Sequence, residues 1–175
     1  MPTVNIAAHL KEMAQRQPEQ LAVRVPAKKD RQGRTFYASY TYRQLDEESD
    51  RFAAGLAWNG IYRGSRAVLM VPPSLEFFAL TFALFKAGVV PVFIDPGMGL
   101  KNIGKCLVES EPEAFIGITK AHVARRLFGW GRRTLKRLVT VGPRLFWSGL
   151  SLNDLRWDDD RVPAPALLQR IASGV

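Results

Sequence analysis

Apolar and polar positions along the chain fall into two alternating rhythms. Ile6, Leu10, Met13 and Ala14 recur at helical spacing behind Asn5, a capping residue, and Pro18 ends that helix. Leu21 to Val25 reads as a strand, Lys28 to Arg34 as an exposed polar turn, and Phe36 to Thr41 as a second strand. Together they predict a hairpin. Thr41 and Gln44 form a capping-box pattern. The helix behind them carries Leu45, Ser49, Phe52, Ala53 and Leu56 on one face, and Asn59-Gly60 supplies its stop.

From Arg66 onward the rhythm becomes strand, helix, strand. Arg66 to Val71 is a short apolar run, ended by Pro72-Pro73-Ser74. The next helix, Leu75 to Phe85, is apolar nearly all round. That predicts burial on two sides and the largest single share of the core. Gly88 terminates it. Strands follow at Val89–Ile94, Ala114–Ile118 and Leu138–Val141, separated by helices at Leu100–Ser110 and Ala121–Phe128. Asp95-Pro96-Gly97 is a turn, and Gly129 to Gly131 interrupts the second helix. This order implies an α/β fold: a mostly parallel sheet with helices on both faces. After Gly142 the pattern weakens. Residues 1–142 read as one α/β subdomain. Residues 143–175 read as loop or linker, with Asp158-Asp159-Asp160, Pro163 and Pro165 before a short helix, Ala166 to Ala172. Leu145, Phe146, Trp147 and Leu150 are expected to be half-exposed.

Composition narrows the classes. Of 175 residues 47% are hydrophobic and 23% charged, which suits a packed domain. The single cysteine, Cys106, gives no disulfide framework and fits a reducing cytoplasm, with the thiol expected inert in the core. The start lacks a basic lead followed by a long apolar run, so no targeting segment is expected. No stretch reaches the roughly 18 apolar residues of a membrane span. The formal net charge of +9 favours acidic partners without choosing among them.

Four segments carry a family signal. The first helix matches an opening N-x-x-x-x-L-x-x-x-A-x-x-x-P-x-x-x-A at Asn5, Leu10, Ala14, Pro18 and Ala22. Tyr40 to Leu45 with the helix through Leu56 is the second. Gly60 to Val68 followed by Pro72 to Phe77 is the third. Leu84 to Pro96, with Lys86, Gly88 and Asp95, is the fourth and strongest. In this order they resemble the opening motifs of AMP-forming acyl-activating enzymes: acyl- and aryl-CoA synthetases, peptide-synthetase adenylation domains and luciferases. The run from Pro73 through Ile118 is similar to olefin β-lactone synthetases and neighbouring fatty-acyl ligases. Ser65 stands where such proteins usually carry Asp, at a turn. Their Gly/Ser/Thr-rich phosphate loop is nowhere in these 175 residues.

The resemblance implies a two-step ligase using ATP and magnesium. A carboxylate would displace pyrophosphate to give an acyl-adenylate, and a thiol or an internal β-hydroxyl would then displace AMP. For this chain it implies a scaffold not competent alone, with no catalytic, cofactor-binding or metal residue of its own. Lys86, Gly88 and Asp95 are read as structural, Lys86 as a last-turn cation satisfying its own helix carbonyls. The implied partners are the remainder of the synthetase and a fatty-acyl carboxylate.

Lys120 to Arg137 stands apart, with seven Lys or Arg and no acidic residue. Ala124, Leu127, Phe128, Gly131 and Leu135 are expected to face the sheet, with the arginines outside. His122 is expected at the surface or in a cap. The competing reading is a non-enzymatic basic module resting on anionic membrane through residues 120–137, with Phe128 and Trp130 at headgroup level. No nucleic-acid module is recognisable.

Overall fold

The computed structural model describes residues 5–94 and 96–156. An antiparallel hairpin, β1 (Leu21–Lys29) and β2 (Thr35–Thr41), stands beside a five-stranded sheet in the order β4-β3-β5-β6-β7. The strands β3 (Arg66–Met70), β4 (Val90–Phe93), β5 (Ala114–Ile118), β6 (Arg137–Val141) and β7 (Leu150–Ser151) all pair in parallel. The helices are α1 (Ala7–Arg16), α2 (Tyr42–Trp58), α3 (Leu75–Lys86), α4 (Leu100–Ser110), α5 (Thr119–Phe128) and α6 (Leu152–Leu155), with a short 3₁₀ turn at Pro96–Met98.

Continuous apolar strands resolve into two faces because successive side chains point to opposite sides. Ala67, Leu69 and Val71 join Leu45, Phe52, Leu56, Leu80, Leu84 and Ile116 in one core cluster. Val68, Met70 and Phe115 join Ile94, Ile103, Leu107 and Trp130 in the other. Helices α1, α2, α3 and α6 supply the first cluster, and α4 with α5 the second. The expected α/β class, with helices on both faces, is what the structure shows.

The local devices follow the sequence with two adjustments. Thr41 Oγ1 accepts from Gln44 N, and Gln44 Oε1 accepts from Thr41 N at 3.0 Å, closing the capping box. Asn5 acts from one position outside the cap of α1. Its Oδ1 accepts from Ala7 N, while its Nδ2 donates to Phe85 O of α3 at 2.7 Å. The hairpin runs further than expected, through Lys28 and Lys29, because Asp30 closes the turn by accepting from Gln32 N and Arg34 N. Gly88 adopts φ +67°, where an L side chain is strained, and it lets Val89 N return to Leu84 O at 2.9 Å.

The reading of α3 needs correction. No residue of this helix is fully exposed, but its complete burial falls on Ala79, Leu80, Ala83 and Leu84. Phe77, Phe78 and Phe82 are only partly buried at the rim of that cluster. Small residues sit where the helix lies closest, against α2, and the bulky rings splay to either side. The largest fully buried side chains therefore include Phe52 of α2 and Phe115 of β5, not the α3 rings.

Beyond Gly142 the chain adds structure that periodicity did not reveal. β7 pairs with β6, and α6 places Leu155 in the main core with no solvent exposure. Ser151 and Asp154 cap α6 reciprocally, a short-range signal present in the sequence. Trp147 is buried, its Nε1 donating to Thr140 Oγ1 at 2.9 Å, and Leu150 is partly buried, while Leu145 and Phe146 stay exposed. Asp95 and the expected features at 158–160, 163, 165 and 166–172 lie outside the described residues.

Gly55 of α2 sits directly beneath α6, where an added methyl would overlap the Leu155 backbone carbonyl. Alanine inside a helix ordinarily stabilises by about 1 kcal/mol over glycine. Gly55→Ala is instead expected to lower stability by about 1–3 kcal/mol through overpacking. Urea unfolding checks the sign; a gain in stability would refute this close approach.

Candidate functional site

In open parallel sheets, ligands bind outside the carboxyl ends of the strands. Here α3 follows β3, α4 follows β4, α5 follows β5 and α6 follows β7, so four helix amino termini gather at that rim. The hydroxyls there are already engaged. Ser74 Oγ accepts from Phe77 N at 3.2 Å and caps α3. Thr119 Oγ1 donates to Pro143 O. Ser151 Oγ is shared with Asp154. Ser151 Oγ donates to Asp154 Oδ2 at 2.8 Å within the capping box of α6.

Charge collects at the opposite rim. Arg66 pairs with Glu111, Lys136 with Glu113, and Arg137 Nε donates to Asn59 O at 2.8 Å. These contacts fasten the amino ends of β3, β5 and β6. Among the described residues no three His, Cys, Asp or Glu side chains are placed to share a metal ion. Among the described residues, the carboxyl rim presents no free hydroxyl or metal-binding cluster suited to a nucleotide triphosphate with magnesium.

Contrary to expectation, Lys86 does not turn back to the carbonyls of its own helix. Its Nζ crosses from α3 to α2, donating to Asp46 O at 2.9 Å, Asp46 Oδ1 at 2.6 Å and Asp50 Oδ1 at 2.7 Å. Its side chain is only 13% exposed. The aspartates of α2 reach it because the two helices pack closely, and two carboxylates outbid the neutral carbonyls of the helix end. The same helix carries Glu48, which accepts from Arg156 Nε at 2.8 Å.

His122 is likewise corrected. It is fully buried between Phe115, edge-on at 5.0 Å, and Trp147, stacked at 5.3 Å. Its Nε2 lies 2.9 Å from Val139 O, so the neutral ring donates there, while Nδ1 is buried without a partner. Burial holds its pKa below the ordinary 6.5, and Arg125 adds to this against the Val139 bond. Cys106 is half-buried on the flank of α4, because Ile103 and Leu107 occupy the inward face.

The expected inward stripe on α5 holds in part: Ala124 and Leu135 pack against the second core cluster, but Leu127 and Phe128 do not. Its buried residues are Ala121 and His122, confined to the first turn, while Leu127 and Phe128 are exposed. Gly129 ends the helix in the left-handed region, and Trp130 N returns to Arg125 O. That reversal tucks Trp130 inward against Gly104 of α4, away from any headgroup level.

The parallel sheet, its two-sided helical cover and the Lys86-bearing helix-to-strand segment define a subdomain of adenylate-forming type. Residues 10–161 match the family described as AMP-binding enzyme. The chain is 53% identical over 150 residues to an olefin beta-lactone synthetase of Stenotrophomonas maltophilia, covering 85% of this chain and 27% of that protein. It is 50% identical over 149 residues to an olefin beta-lactone synthetase of Xanthomonas campestris pv. campestris, with the same two coverages. A long-chain-fatty-acid-CoA ligase structure from Archaeoglobus fulgidus shares the fold, with TM-score 0.67 and 19% identity over 82% of this chain and 28% of that one. The chain belongs to the AMP-binding enzyme family. It corresponds to the N-terminal portion of its relatives and spans about a quarter of the length of the two synthetases.

Two outcomes follow from these contacts. Lys86→Met removes the cation between two aspartates and is expected to cost about 2 kcal/mol of stability; an unchanged urea midpoint would show the bridge to be idle. For His122 the folded pKa lies below the unfolded value, so its contribution is complete above about pH 6.5 and is lost as pH falls beneath it. Stability is expected to drop by about 1 kcal/mol between pH 7.5 and 5.5. That drop should shrink in His122→Phe, and an equal drop in both proteins would exclude the histidine as its source.

Proposed function

We propose that this chain is the N-terminal scaffold of an ATP-dependent, AMP-forming carboxylic-acid ligase of the β-lactone synthetase or acyl-CoA synthetase type. The substrate class is a fatty-acyl or β-hydroxy fatty-acyl carboxylate. The observation that carries the reading is the 53% identity extending over 85% of the chain to an olefin beta-lactone synthetase. The hydroxyls at the carboxyl rim, engaged as helix caps and ties, support a structural role. ATP, magnesium and the reacting carboxylate would be held by the remainder of the synthetase, in the cytoplasm. The Lys86 bridge and the Gly88 turn would hold α2, α3 and β4 as one body for that remainder to pack on.

A segment exchange tests this. Residues 10–156 replace the matching segment of the Stenotrophomonas maltophilia relative, and carboxylate-dependent ATP–pyrophosphate exchange is measured. The hybrid is expected to keep exchange within about tenfold of the parent, the change of one modest packing defect. The isolated chain is expected to show none. A folded hybrid without exchange, or exchange by the chain alone, would overturn the scaffold assignment.

A further inference from the structure

We propose that the outer end of α5, together with the neighbouring 144–146 loop, is a docking surface for an anionic lipid bilayer. The proposal stands apart from the ligase reading and rests on exposure, contiguity and unpaired charge.

Four large apolar side chains point to solvent here: Leu127 at 76%, Phe146 at 73%, Phe128 at 53% and Leu145 at 52%. Leu127 shares a cleft with Arg125, Arg126 and Arg132, and Phe146 lies against Arg126, whereas Phe128 faces Leu100, Lys101 and Val108 of α4. The Arg126 guanidinium lies 5.5 Å from the Phe146 ring centroid, joining the helix to the loop. Phe128 stacks at 5.5 Å on Trp130, which is buried and fixes the ring in place. Between the helix end and the following segment runs a cleft of about 570 Å³, lined by Arg125, Arg126, Leu127, Arg132, Leu135 and Leu138.

The charge on this patch meets no carboxylate among the described residues. Among the described residues, Arg125, Arg126, Arg132, Arg133 and Arg144 form no ion pair with a carboxylate. Arg125 Nε is buried with no hydrogen-bond partner among the described residues. Six arginines elsewhere find carboxylates, at Glu12, Glu19, Asp30, Glu48 and Glu111, whereas Arg24, Arg31, Arg63 and Arg137 do not among the described residues.

Guanidinium groups around exposed leucine and phenylalanine are what a headgroup layer accommodates. Phosphates take the cations while the apolar side chains enter the acyl boundary. A nucleic acid would satisfy the arginines and leave Leu127 and Leu145 without a role. A free phosphate would leave the whole apolar patch in water. No helix among the described residues is long and apolar enough to cross a membrane, so the contact is peripheral.

The test is flotation of the full chain with phosphatidylcholine vesicles, with and without phosphatidylglycerol. Binding is expected only with the anionic lipid. Arg126→Gln/Arg132→Gln/Arg133→Gln should weaken it about 100-fold, and Leu127→Ser/Phe146→Ser about tenfold. All these side chains are exposed, and circular dichroism confirms that each variant is folded. In F146W the added indole should be quenched by brominated lipid beyond the parent protein's own tryptophans. No flotation with anionic vesicles would overturn the proposal. So would binding untouched by the Leu127/Phe146 change, which marks a polyanion contact only, or binding abolished by free pyrophosphate, which marks a soluble-anion site.

Discussion

Strands β3 and β5 have no side turned to water. Val68, Ala67, Phe115 and Ile116 are buried on alternating faces of the same two strands. Each face therefore needs its own apolar cover, and neither cover can be omitted without wetting the centre of the sheet. This constraint explains why α2 and α3 form a tight pair on one side while α4 and Trp130 close the other. It also explains why polar chemistry is pushed to the strand ends, where ion pairs hold one rim and capped helix starts form the other.

Most of this was legible because it is periodic. The short continuous apolar runs at Arg66–Val71 and Ala114–Ile118, in alternation with helices, made the class readable, and the helical spacing of Leu45, Ser49, Phe52 and Leu56 gave the inner face of α2. The family signal was legible because its residues do structural work: Gly88 at a left-handed turn, Lys86 at a helix crossing. The partner of Lys86 was not. A lysine near a helix end has nearby carbonyls in sequence, whereas Asp46 and Asp50 lie 40 and 36 positions away and meet it only through packing.

Other misreadings share a cause. Helical spacing shows which residues share a face, but not how far along the helix the sheet extends. On α5 the sheet covers one turn, so His122 is enclosed and Leu127 is left outside. β7 is two residues long, too short for any period, and its place came from pairing with β6. The carboxyl rim was legible only as an absence of phosphate-loop residues; that its hydroxyls serve as caps and ties emerged from geometry.

The contact between Leu155 and Gly55 joins residues a hundred positions apart, and Glu48 with Arg156 spans 108. Both lie on the same face of α2, beside Phe52, which the Arg156 guanidinium overlies at 5.8 Å. During synthesis α2 emerges early and its inner face must wait for α6 before it is closed. Loop closure over that separation is entropically expensive, so a nascent chain carries an exposed apolar ridge on α2 until α6 has emerged. The last described turn of the chain thus sets the moment at which the first core can finish folding, and a chaperone would find its target on α2 until then.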